Sequence, residues 1–104
     1  MNHADIYTAV LHYLKAVRDA GTIGGAAVVA RMKQVPIEDF WNHGTVIRAD
    51  GRVLNDMRLM QVKTPAESKG RDDVMKQLAL VPGADAFQPL ADGSCKLVAQ
   101  DTSK

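Results

Sequence analysis

The side chains that could carry chemistry in this chain are three histidines, one cysteine and two pairs of neighbouring carboxylates. His3, His12 and His43 do not have the spacing of a zinc site, because HxxxH, HExxH and CxxC motifs are all absent. Cys95 could pair with a histidine in the folded protein, but no neighbour in sequence would activate its thiol. We therefore expect a surface histidine at position 12, a structural thiol, no metal and no enzyme activity.

The carboxylate pairs and a glycine-rich segment have simple structural interpretations. Glu38-Asp39 and Asp72-Asp73 lie in loop-like stretches and are expected on the solvated surface. The segment 21–25, GTIGG, could bind an anion through backbone N–H groups, but it lacks the lysine of a phosphate-binding loop and follows a helix. We interpret it as a turn between helices. No catalytic, ligand-binding or metal residue and no cofactor is assigned.

Two helices are predicted at the start of the chain. A helix over 4–20 places Ile6, Val10, Leu14 and Val17 on one apolar stripe, with His12 and Lys15 mainly on the opposite face. A second helix over 26–34 ends before Pro36, because a proline biases the preceding residue away from helical geometry. Together they predict a helical hairpin over 4–34.

The remainder, 45–99, is predicted to be rich in strands. Asp50-Gly51 is a strong hairpin signal between strands at 45–49 and 52–55. A strand over 56–63 has apolar side chains on both faces, which is typical of a strand covered on both sides. Three later segments follow: 74–81 as a strand or short helix, 84–90 as an irregular turn, and 95–99 as a short strand. Residues 100–104 are expected to fray.

Composition indicates one soluble α+β domain, residues 1–99, of ordinary globular type. The chain is 46% hydrophobic and 24% charged, and its net charge of +1 gives no reason to expect a nucleic acid partner. No segment approaches the roughly 18 apolar residues of a membrane span. The first 20 residues are too interrupted by charge for a signal peptide, which predicts a cytoplasmic protein if Met1 is the true start.

Several motifs, in order along the chain, resemble one family. They are HYLKAV at 12–17 with AGT at 20–22, VVARMK at 28–33, PIEDF at 36–40, IRADGRVLNDM at 47–57, VKTPAESKG at 62–70 and PGADAFQPL at 82–90. This pattern is similar to the C-terminal portion of type I periplasmic solute-binding proteins of the branched-chain amino acid ABC transporter family. Asn55 stands where that family commonly has histidine, and Gly24-Gly25 replaces a more polar stretch.

The resemblance implies a piece of a two-lobed α/β receptor, located in the periplasm, that delivers a small solute to an ABC permease. The family's main ligand contacts lie upstream of the matched region, so little or no solute binding is expected from this chain alone. Surfaces that the missing lobes would cover, including Phe40, Trp41 and the strand over 56–63, should then be exposed. We therefore expect homodimerisation, with exchange of helices or strands as one route. The alternative is a stand-alone homodimeric interaction module with a new partner or interface pocket.

Overall fold

The computed structural model describes residues 2–96 and residue 98. The chain divides into two compact units, one formed by Met1–Leu54 with Ser94–Lys104 and the other by Asn55–Gly93. The elements are helices α1 (Asn2–Ala20) and α2 (Gly25–Gln34), strands β1 (Ile37–Glu38), β2 (His43–Thr45), β3 (Met57–Val62) and β4 (Met75–Val81), a short helix α3 (Gly83–Ala86) and a 3₁₀ turn (Leu90–Asp92). The α+β class predicted from sequence is confirmed.

The two predicted N-terminal helices are confirmed, and local chemistry explains where they end. Gly21 ends α1 in the left-handed region, with φ of 65°, and its N–H donates to Val17 O. Glycine suits this position because it has no Cβ to clash there. The second helix, α2, ends at Gln34, and the N–H of the following Val35 donates to Arg31 O.

The face that α1 buries differs from the predicted one. The helix buries Thr8, His12 and Ala16, which lie on one face at four-residue steps. The predicted apolar stripe points outward instead: Ile6 is 64% exposed, Val10 53% and Leu14 56%. The prediction of a surface position for His12 is therefore wrong, because the small and polar side chains are the ones that pack on α2 and the connector after it.

The connector after α2 forms a two-stranded antiparallel pair and then a tight turn. In the pair, Ile37 of β1 faces Thr45 of β2, and Ile37 is only 4% exposed. The predicted strands at 45–49 and 52–55 are not formed as regular strands; the two segments are joined by an isolated bridge between Ile47 and Val53 and by a hydrogen bond from Leu54 N to Val46 O at 3.4 Å. Two backbone hydrogen bonds close the turn between these segments. Arg48 N donates to Arg52 O and Gly51 N donates to Arg48 O, both at 2.8 Å.

The second unit is built on an antiparallel ribbon of β3 and β4. The register runs from Met57 opposite Val81 to Val62 opposite Met75, with a bulge after Leu59. The connecting loop is held by ion pairs from Lys63 to Asp73 and from Lys76 to Glu67. Both predicted strands are therefore present, and the helical alternative for 74–81 is excluded.

The last segments differ from the prediction in both directions. The stretch 84–90, predicted as an irregular turn, contains the last three residues of α3 and the first residue of the 3₁₀ turn, with no regular structure at 87–89. Cys95, Lys96 and Val98 are not in a strand, while the remaining positions of the predicted strand at 95–99 and the tail 100–104 lie outside the described residues. Among the described helices, none is both long and apolar enough to cross a membrane.

Candidate functional site

The histidines are not gathered into a site. His3 and His43 are exposed, while His12 is buried, and its Nε2 lies 2.9 Å from Met32 O. A carbonyl oxygen only accepts, so this nitrogen carries the proton and joins α1 to the C-terminal turn of α2. Within residues 2–96 and 98, no three His, Cys, Asp or Glu side chains are grouped as metal ligands.

Asp39 is partly buried and joins α1 to the connector after α2 by hydrogen bonds, so the prediction that it lies on the solvated surface is wrong. Its carboxylate accepts from Thr8 Oγ1 at 2.7 Å, from Trp41 N at 2.8 Å and from Asn42 N at 2.7 Å. The amide of Asn42, only 4% exposed, donates to Thr8 Oγ1 at 3.0 Å and to the same carboxylate. Burial raises the pKa of Asp39, but these donors outweigh burial and lower it to about 2.

The second carboxylate pair and the glycine-rich segment both contribute to local structure. Asp73 accepts from Lys63 Nζ and Lys69 N, and the bond from Lys63 is the largest cause that lowers its pKa. In the glycine-rich segment, Gly24 N donates to Thr22 Oγ1 at 3.1 Å. The segment is therefore a closed local turn between α1 and α2, as its composition predicted.

One cleft is lined by charged side chains and by a few apolar residues. It lies between the C-terminal halves of α1 and α2 and the start of β1, with a volume of about 290 Å³. Its lining residues are His12, Lys15, Ala16, Arg18, Asp19, Arg31, Val35, Pro36 and Glu38. The sequence analysis did not identify this cleft, because its cationic residues come from two different helices. Arg18 and Arg31 are 13 positions apart, and no sequence motif contains both.

Charges around this cleft are unevenly paired. Arg18 holds Asp19 at 2.9 Å, and its hydrogen bond is the largest cause that lowers the Asp19 pKa. Lys15 Nζ donates to Glu38 O at 3.0 Å. Arg31 reaches Asp19 only at 3.6 Å, and its buried Nε has no hydrogen-bond partner among the described residues.

Large apolar side chains are exposed in both units. On β3 and β4 the exposed set includes Met57, Leu59, Met60, Val62, Met75, Leu78, Leu80 and Val81. In the first unit, Phe40 is 66% exposed and meets the Tyr7 ring edge-on at 5.2 Å, while Trp41 is half-buried. The expected exposure is confirmed for Phe40 and the ribbon. Contiguous exposed apolar surface is typical of regions that contact other polypeptide.

Comparison with known proteins places this fold in context. Residues 1–71 match a family model described as "Periplasmic binding protein". A periplasmic binding protein from Burkholderia mallei is 42% identical with a TM-score of 0.81, and a branched chain amino acid ABC transporter periplasmic ligand-binding protein from Burkholderia xenovorans is 33% identical with a TM-score of 0.79. Each match covers 88% of this chain and 24% of the solved chain. No curated protein sequence matches it significantly.

Proposed function

Because the chain belongs to the periplasmic binding protein family, we propose that it forms part of the solute-binding component of an ABC importer for amino acids or related small carboxylates. The observation that carries this proposal is the 42% identity and TM-score of 0.81 over 88% of the chain. The second relative is named as the periplasmic ligand-binding protein of a branched-chain amino acid ABC transporter, which supports amino acids as the class of solute. Binding and delivery of solute, rather than catalysis, is the activity proposed, with the periplasm as its location and an ABC permease as its partner.

On its own the 104-residue chain binds that solute weakly or not at all in this proposal. The chain spans about a quarter of the length of its solved relatives, and the family resemblance implies a receptor that holds its solute between two lobes. The outward apolar stripe of α1 and the apolar ribbon support the same conclusion, because both are surfaces suited to further polypeptide. A complete solute site would then need groups beyond these residues.

A segment exchange tests this function. The 104 residues would replace the aligned segment of the Burkholderia xenovorans receptor, and thermal unfolding would be followed with leucine, isoleucine, valine and small carboxylates. A ligand at about 100 times its dissociation constant stabilises a folded protein by about 2.7 kcal/mol, so binding is readily detected. The chimera is expected to be stabilised by the ligands that stabilise the unmodified receptor, whereas the chain alone is not stabilised by them at micromolar concentration.

Two results would contradict the proposal. A chimera that folds with the unmodified receptor's circular dichroism spectrum but binds none of its ligands would show that these residues do not support solute binding. Micromolar binding of an amino acid by the chain alone would show that the site is already complete. The unmodified receptor is the control for ligand quality and for the size of the thermal shift.

A second candidate function is a homodimeric interaction module, and exposure of the β3–β4 ribbon favours it. A two-stranded ribbon is at best marginally stable in water unless something packs on it. Here both faces carry exposed apolar side chains, for example Leu59 at 56% and Leu80 at 50%. A second copy could cover them and create a new interface pocket. The mass of the chain in solution decides whether such a dimer forms.

A further inference from the structure

Three of the five methionines of the chain lie on the β3–β4 ribbon, and all three are exposed. The exposed fractions are 42% for Met57, 42% for Met60 and 49% for Met75. Met32, on α2, is only half-buried but falls below these values. Oxidants convert a methionine thioether to a sulfoxide, and they do so where they can reach the sulfur. The ribbon is therefore the part of the described chain whose methionines are most open to oxidation.

Strand register places Met60 and Met75 on the same face of the ribbon. Val62 is paired with Met75, and Met60, two positions before Val62, is paired with Gln77. Paired residues share a face, as do residues two apart along a strand, and the bulge lies outside this stretch. Met60 and Met75 are thus diagonal neighbours, a separation that long side chains can span.

Oxidation changes the chemical character of this face. Val62, between the two methionines, is 67% exposed, the largest value among the apolar side chains of β3 and β4. Hydrogen peroxide transfers one oxygen atom to the sulfur; its O–O bond breaks, an S–O bond forms and water leaves, so that sulfur is oxidised and peroxide reduced. Polypeptide that covers the face must then bury a polar oxygen, which is costly unless the oxygen accepts a hydrogen bond.

We propose that Met60 and Met75 form a peroxide-sensitive site, and that their oxidation to sulfoxides releases a second copy of the chain from this face. The release rests on the homodimer named above as the second candidate function, whereas the oxidation itself does not. Two sulfoxides in each copy raise the dissociation constant of the dimer about tenfold or more. Methionine sulfoxide reductases reverse the modification.

The experiment treats the 104-residue chain with hydrogen peroxide over a dilution series. Peptide mass mapping gives the oxidation rate of each methionine, and light scattering gives the mass of the treated chain. All proteins carry Cys95→Ser, so that the free thiol does not form disulfides between copies. Because a second copy protects the face, the rates at Met60 and Met75 should rise on dilution to a plateau several times the rate at Met32. The treated chain should have the monomer mass of 11.3 kDa.

Matched variants assign the effect to this face. The double variant Met60→Leu, Met75→Leu keeps similar apolar volume without an oxidisable sulfur, and it should keep its dimer mass after peroxide. It retains Met57, which the register places on the opposite face. Met32→Leu is the control outside the ribbon, and this variant should dissociate after peroxide as the parent protein does.

Three results would overturn the proposal. One is oxidation of Met60 and Met75 no faster than that of Met32 at any dilution. Another is a fully oxidised chain that keeps its dimer mass, or dissociation of the double leucine variant by peroxide. The third is a chain that is monomeric before treatment, which would remove the release together with the homodimer. The receptor chimera enters none of these readouts, so its failure is distinguishable from theirs.

Discussion

At the scale of single residues, the described chain uses its polar side chains to connect segments that are far apart in sequence. Thr8 and Asn42, 34 positions apart, are joined directly and through Asp39. His12 similarly joins α1 to Met32, 20 positions away. Sequence spacing did not predict these partners, because such contacts form only after the helices have packed. Two of the residues that looked capable of chemistry, His12 and Asp39, therefore help to hold the first unit together.

Replacing Asp39 by Asn should destabilise the first unit by about 1–3 kcal/mol, because an amide nitrogen would face donors that the carboxylate now accepts. The native carboxyl has a pKa of about 2, below its ordinary value of 3.8. Its contribution to stability is therefore fully present above about pH 4 and is lost as the pH falls toward 2. Urea unfolding of both proteins between pH 7 and pH 2 should show the stability difference shrinking over that interval.

The matched control for this measurement is Asp72→Asn, which changes an exposed carboxylate in the loop of the second unit. It should leave stability within about 0.5 kcal/mol of the native protein. Because the pKa of Asp50 is also about 2, the comparison uses the difference between variants rather than the absolute pH profile. A pH-independent difference for Asp39→Asn would contradict the role given to its charge.

At the scale of elements, helix α2 and the turn at Asp50-Gly51 follow from local sequence. Gly51 has φ of 86° and open space around its Cβ position, so its conformation rather than its size requires glycine. Gly25 begins α2 with an ordinary φ and open space as well. Gly51→Ala should therefore destabilise the first unit by about 1 kcal/mol, while Gly25→Ala should stabilise it by about 0.4–1 kcal/mol.

Urea unfolding followed by circular dichroism compares the two glycine variants in one unit, with the native chain as reference. The pair is informative because each variant adds the same methyl group and neither meets an atom within 4 Å. Equal effects of the same sign would contradict the backbone explanation. An ion pair of 2.6 Å between Arg48 and Asp50 adds to the turn, and the variants leave it in place.

The sequence predicted α1, α2 and β3 well, since each has a clear period or breaker, but it left 74–81 open between a strand and a short helix. It failed to predict which face of an element is buried. On α1 the apolar stripe of Ile6, Val10 and Leu14 predicted the buried face, yet Thr8, His12 and Ala16 are buried instead. Periodicity identifies an apolar face but not the polypeptide that covers it. The cleft was missed for a related reason, because it depends on how two helices meet.

At the scale of the whole molecule, the described chain has a small buried core and much apolar surface. The buried hydrophobic side chains of its described part are Ala16, Val28 and Ile37, while large apolar side chains on α1, β3 and β4 are exposed. Such surface favours association with more polypeptide, because its removal from water lowers the free energy by roughly 25 cal/mol per Å². In the proposed receptor the other parts of the two lobes supply this cover. For the chain alone, a second copy is the available cover.

The mass of the purified chain by size-exclusion chromatography with light scattering tests this account most directly. At micromolar concentration the account predicts twice the monomer mass of 11.3 kDa. Leu59→Glu or Leu80→Glu, on the ribbon, should shift the mass toward the monomer because a buried unpaired charge is costly, whereas Ile23→Glu, at a position 81% exposed in the interhelix turn, should not. A stable, well-folded monomer of the native chain, unaffected by any of these substitutions, would contradict the claim that its apolar surfaces require covering by other polypeptide.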